Sequence, residues 1–292
     1  MRLAILADIH GNLPALEAVL EDLQTQSPDA IYLAGDLINR CPWSNEVLAI
    51  ALDQDWPSIQ GNHELIVGGL GTSYAHRAFQ HRIRFSTLWW TWSSLTDYHH
   101  TFIRGFPAQM KLDLGRGPTI RLLHGIPYNP FVGIDPIVSD ERVASSLASI
   151  SESVIVAAHT HWPLARKVDR WTIFNGGSVG LPYNGDPRAQ YLILDLVQNV
   201  SNSDEDSWQW QPTFRQVDYD RERVVAGFKE SGMGREIGPV AQLHLRTVLQ
   251  GHAWTSDFNY WVRSQPGHIQ QDMEKAVDLY LQQHGPGNWA FR

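Results

Sequence analysis

Four short runs, RLAILAD, AIYLAGD, IRLLHG and SVIVAAH, are apolar almost throughout and stop at or beside an aspartate or histidine. No other feature constrains the fold as much. A strand with one solvated face alternates apolar and polar residues, whereas a continuous apolar run suits a strand covered on both faces. Between the first two runs Asn12 is placed to cap a helix with Pro14 in its first turn, and Leu13, Leu16, Val19, Leu20 and Leu23 trace one apolar stripe. That sequence of elements is a β-α-β unit, so the chain is expected to fold as a layered α/β domain and not as a bundle or barrel.

Further strands are expected at residues 171–175, 190–197 and 208–217, the last two joined by the polar turn QNVSNSDEDS. After Asp220 the pattern changes. HIQQDMEKAVDLYLQQ carries Ile269, Met273, Val277, Tyr280 and Leu281 at helical spacing, so residues 220–292 read as a helical C-terminal extension to a domain over 1–219. With 292 residues, 43% of them hydrophobic, the chain can bury a large core. A net charge of -8 argues against a general surface for duplex nucleic acid. The single cysteine, Cys41, excludes an internal disulfide framework and a thiolate zinc site, and fits a reducing compartment. No apolar run is long enough for a signal peptide or a membrane span, so no membrane partner and a cytoplasmic location are expected.

The strand ends supply Asp8 and His10, Asp36, His124, and His159 with His161, while IQGNHE adds Asn62, His63 and Glu64. At the carboxyl ends of strands, loops leave a rigid scaffold and functional residues gather. Buried carboxylates such as Asp8 and Asp36 need a compensating positive charge, which a pair of divalent cations would supply. Imidazole and carboxylate without thiolate suit Mn, Fe, Zn, Ni or Co over Ca. Two ions sharing a carboxylate, about 3.5–4 Å apart, suit hydrolysis of a phosphate ester because they clamp the attacking and leaving oxygens.

Taken in order, DIHGN, GDLINR, GNHE, LLHG and AHTH resemble the signature of the calcineurin-like metallophosphoesterase superfamily. FNGGSVGLPYNGDPRAQYLILD resembles its bacterial branch of small phosphodiesterases, and the likeness extends from Met1 to about Val217. The resemblance implies a four-layer α/β/β/α sandwich of two mixed sheets with a dinuclear site between them. It implies Asp8, His10 and His161 on one metal, Asn62, His124 and His159 on the other, and Asp36 bridging. The two histidines of AHTH would then serve different ions. It further implies a bridging hydroxide attacking phosphorus and His63 assisting the leaving group. Glu64 is expected as an exposed acid in the first turn of a helix. Arg40 resembles the phosphate-contacting arginine of the diadenosine tetraphosphate hydrolase and Ser/Thr phosphatase branches, which carry glycine where this chain has Cys41. The expected activity is a metal-dependent phosphodiesterase on a small nucleotide or related ester. The alternatives are a dinucleoside polyphosphate hydrolase, a protein phosphatase, or a non-enzymatic protein-binding scaffold of the same fold.

Residues 71–106 form an aromatic and basic insert expected to be helical. Phe79, Ile83 and Trp90 fit helical spacing toward a core, while the stretch also resembles a helical cap beside the site in that bacterial branch, which implies stacking of a base and phosphate contact through His76, Arg77, His81 or Arg84. In the extension, HAWTSDFNYWVRSQPGH is aromatic enough to pack on the catalytic domain or on a second subunit of a homo-oligomer.

Overall fold

Asn12 caps the first helix, its side-chain oxygen accepting from the Ala15 N–H at 3.3 Å, and the apolar stripe after it turns onto a sheet. The computed structural model describes residues 1–199 and 207–285, so most of the polar turn expected at 198–207 lies outside the described residues. The chain begins with β1 (Arg2–Leu6), α1 (Leu13–Gln26), β2 (Ala30–Leu33), α2 (Ser44–Asp53) and α3 (Asn62–Gly69). A 3₁₀ turn at Arg77–Gln80 precedes α4 (Ser86–Ser94) and α5 (Asp97–Arg104). There follow β3 (Gln109–Leu112), β4 (Ile120–Leu123), α6 (Asp140–Leu147), β5 (Val154–Val156), β6 (Pro163–Val168), β7 (Trp171–Gly176), β8 (Ala189–Asn199) and β9 (Ser207–Val217). The extension holds α7 (Arg221–Glu230), α8 (Met233–Glu236), α9 (Val240–Gln250), α10 (Trp254–Arg263), α11 (Gly267–Gln270) and α12 (Met273–His284).

Two mixed sheets form, in the orders β2-β1-β8-β9 and β3-β4-β5-β7-β6. In the first, β1 runs parallel to β2 and antiparallel to β8; in the second, β4, β5 and β7 are parallel and β3 and β6 are antiparallel edges. The edge strands β3 and β6 carry Lys111, Arg166 and Lys167, which protect an exposed edge and erase the continuous apolar signal.

Side-chain alternation along β1 sets the layers. Leu3, Ile5 and Ala7 join Leu122, Val154, Val156, Phe174, Leu192 and Leu194 in a core between the sheets. Ala4 and Leu6 face the other way, with Tyr191 and Ile193, onto Leu16 and Val19 of α1 and Val47 and Leu48 of α2. On the far side Leu123, Ile155 and Ile173 meet Val143 and Leu147 of α6. The result is an α/β/β/α sandwich, with each buried Leu, Ile or Val contributing about 1.5–3 kcal/mol.

The helical extension packs on its own chain: Val224, Phe228, Met233, Ile237, Ala241 and Val248 share the core cluster of α1 and α2. Its distal helices close a second cluster around Trp254, Phe258, Val277 and Tyr280. The insert departs from the expected helix, because residues 81–85 are irregular and Ile83 is 64% exposed, not turned to a core. Phe79 and Trp90 do pack on the core, partly buried. No helix among the described residues is long and apolar enough to cross a membrane.

Candidate metal centre

The strands end before the residues that matter. β1 stops at Leu6, β2 at Leu33 and β5 at Val156, leaving Asp8, His10, Asp36, His159 and His161 in the loops beyond. All five have left-handed backbone, with φ of 54°, 53°, 55°, 68° and 58°. Such conformations cost non-glycine residues about 1–3 kcal/mol each and gather at functional sites. The spacing of His159 and His161 therefore acts through left-handed turns and not through the alternation of an extended strand. The loops are tied to one another by backbone bonds from Asp8 N to Gly35 O (3.0 Å), His10 N to Asp36 O (2.9 Å) and Ala158 N to His124 O (2.8 Å). The FNGGSVG segment braces them, as Ser178 Oγ donates to Asp8 O at 2.8 Å and Asn175 Nδ2 to Ala158 O at 3.0 Å.

Two donor nests result. In one, His161 Nε2 lies 3.4 Å from Asp8 Oδ1 and 3.2 Å from His10 Nε2. In the other, Asn62 Oδ1 lies 3.0 Å from His124 Nε2 and 2.8 Å from His159 Nδ1. Asp36 Oδ2 stands between them, 3.7 Å from His10 Nε2 and 3.4 Å from His124 Nε2. The outward ring nitrogens of three histidines are held by carbonyls: His10 by Ile38, His124 by Ala34 and His161 by Leu181. Those contacts orient the inward nitrogens toward the centre.

Burial lowers His10, His63, His159 and His161, the last three to about 3, 4 and 3, so these imidazoles are neutral. His124 differs: burial lowers it, but Asp36 outweighs burial and raises it to about 10. Burial raises Asp8 well above the usual carboxylate range, and its Oδ1 has no hydrogen-bond donor. Buried carboxylate oxygens beside neutral imidazoles and an amide oxygen fit divalent cations.

His63 opens α3 beside this centre, its Nε2 3.9 Å from Asp36 Oδ2. Its Nδ1 meets Asn39 Nδ2 at 2.6 Å, and Asn39 Oδ1 accepts from Thr91 Oγ1 of α4 at 3.0 Å. With the amide donating to Nδ1, the ring proton sits on Nε2 and faces the centre. Sequence reasoning missed Asn39 and Thr91; Asn39 lies inside GDLINR, whereas nothing local marks Thr91.

Glu64 is a correction, because it is fully buried and not an exposed first-turn acid. Its carboxylate accepts from the N–H groups of Gly61, Asp36, Leu37 and Ile38, tying α3 to the loop after β2. Arg40 is brought to the centre: its charge bears on His10, His63, His159 and His161, and its Nε has no partner. Cys41 keeps a negative φ and donates its N–H to His10 O at 2.9 Å, so this position needs no glycine. Tyr183 stacks on His161 with centroids 4.1 Å apart. Of the insert residues, His76 Nδ1 accepts from the Ala78 N–H and His81 Nδ1 from the Arg84 N–H, while Arg84 lies over the Phe85 ring and Arg77 is exposed. Among the described residues no hydrogen bond or ion pair joins any of the four to the donors.

Known proteins similar to this chain share its family and fold. A family model described as the calcineurin-like phosphoesterase superfamily domain matches residues 1–199. Phosphodiesterase YfcE of Escherichia coli is 26% identical over 198 residues, covering 67% of this chain and 88% of its own. The uncharacterized protein MJ0912 of Methanocaldococcus jannaschii is 24% identical over 211 residues, covering 66% of this chain and 82% of its own. The crystal structure of a metallophosphoesterase from Sphaerobacter thermophilus superimposes with a TM-score of 0.63 at 25% identity, covering 86% of this chain and 99% of that one. The chain belongs to the calcineurin-like phosphoesterase superfamily and is a metal-dependent phosphoesterase.

Proposed function

We propose that this enzyme is a phosphodiesterase acting on a small nucleotide or a related phosphate ester. The observation that carries the reading is the position of Asp36 Oδ2 within 3.7 Å of His10 and 3.4 Å of His124, between two nests of donors. Asp8, His10 and His161 would hold one divalent ion, Asn62, His124 and His159 a second, with Asp36 shared and Mn, Fe, Zn, Ni or Co as the suited metals. Bound there, such ions supply Lewis acidity to the phosphoryl oxygens and acidify water. The remaining work belongs to the chain. His63 Nε2–H donates to the leaving oxygen, Asn39 holds that ring in place, and Arg40, whose Nε has no partner, offers its guanidinium to the non-bridging oxygens. The lone buried Cys41 supports a cytoplasmic setting. The presence of His63 beside a full donor set supports an enzyme over a binding scaffold.

His63→Ala tests the reading. The variant should keep its metal content yet lose roughly 10²–10⁴-fold in turnover on an ester with a poor leaving group, and less on a nitrophenyl diester. Unchanged turnover on the poor leaving group would remove His63 from this role. Failure of the metal-loaded wild type to cleave any phosphodiester would return the scaffold reading.

A further inference from the structure

A cavity of about 780 Å³ runs along α3 beside the metal centre. Its lining includes Phe131 together with Gln60 and Glu64, which lie on either side of Asn62 and His63 in the chain. Helix α3 thus borders both places, its first residues at the donor nests and the following ones along the cavity, and the Phe131 backbone lies near enough to bear on the His159 ring. The volume is that of a small-molecule site. Its lining is mainly apolar, through Leu65, Leu70, Phe79 and Phe131. The rings of Phe79 and Phe131 are parallel within 13°, with centroids 6.4 Å apart. Leu65 and Phe131 are 42% and 44% exposed, so large apolar surface faces open space next to a catalytic centre.

The polar groups narrow the occupant. Among the described residues Glu64 is the only carboxylate in the lining, and both its oxygens are committed to backbone N–H groups. Arg104 contributes a cation whose Nε donates to Gly68 O at 2.9 Å. Apolar and aromatic walls with a cation and no free acid suit a flat ring that carries hydrogen-bond acceptors.

We propose that this cavity is the specificity site of the enzyme and binds the nucleobase of a nucleotide-type ester while its phosphate lies at the metal centre. The inference rests on the phosphoesterase reading above. Stacking on aromatic side chains tolerates different bases, so the site selects for a base without selecting strongly among bases.

Calorimetric titration of the metal-loaded protein with adenosine 5′-monophosphate and with methyl phosphate tests it. The nucleotide should bind at least roughly tenfold more tightly, the size expected of one stacked base. Phe79→Ala and Phe131→Ala should each shrink that advantage several-fold while leaving methyl phosphate affinity and metal content unchanged. Phe131 lies half exposed on a loop, so its variant serves if loss of Phe79 loosens the insert. Equal affinity for the two ligands, or an advantage that survives both substitutions, overturns the proposal while the phosphodiesterase reading stands. Binding of neither ligand, together with no hydrolysis of any phosphodiester, overturns that reading and the proposal with it.

Discussion

At the residue scale, the centre is assembled from conformations that residues of these types seldom adopt. Five donor positions have positive φ, and Gly61 is required because a Cβ there would lie 2.2 Å from Asp36 Oδ1. The strain is offset by the bonds that cross-link the loops. The same economy governs His63, which relies on Asn39 and, through it, on Thr91. Asn39→Ala should therefore lower turnover roughly 10- to 100-fold, the usual effect of losing a group that orients a reactive one. Metal content by elemental analysis should not change, since Asn39 faces no donor nest. A rate within twofold of wild type on a poor leaving group would show that His63 is held by packing alone.

At the scale of elements, α3 depends on Glu64. Four backbone N–H groups converge on one buried carboxylate and fasten the helix start to the loop after β2, which also places Asn62 and His63. Glu64→Ala would leave those donors buried and unpaired at about 1–3 kcal/mol each. The expected loss is at least about 4 kcal/mol in urea denaturation, or failure to accumulate folded protein. A loss below about 1 kcal/mol would mean that water or a rearranged loop replaces the carboxylate. The extension is positioned by a similar close approach: Gly251, at φ 67°, sits where a Cβ would be 2.7 Å from the Asp186 backbone, and its carbonyl accepts from Gly185 N at 2.9 Å. That contact presses the α9–α10 elbow onto the loop that carries Tyr183.

At the scale of the whole molecule, a polar tie adds directional bonds to the apolar contacts between α1 and the first sheet. Asp22 of α1 accepts from Arg215 of β9 and Tyr191 of β8, at 2.7 Å and 2.5 Å. Burial pushes the Asp22 carboxyl up, but these bonds outweigh it and hold the group below its ordinary value. A depressed folded pKa adds stability above the unfolded value near 3.9 and loses it as pH falls through the folded one. Melting temperature should thus decline below about pH 4, and Asp22→Asn should lower it at neutral pH while flattening that part of the decline. An identical acid profile in the variant would assign the effect elsewhere. Much of this architecture is legible in the chain itself. Runs such as RLAILAD and SVIVAAH announce buried strands because burial on both faces leaves little room for polar residues, and the donors after them are conspicuous because ionisable groups are costly there. Local pattern does not carry the rest. Edge strands β3 and β6 lack the apolar signal, Glu64 looks like any helix-start acid, and Thr91 reaches Asn39 across 52 residues of sequence. The sequence by itself determined which elements form and which residue types end them. Only the tertiary structure decided the left-handed turns, the acceptor role of Glu64 and the seat of the extension, because each depends on contacts between segments far apart in the chain.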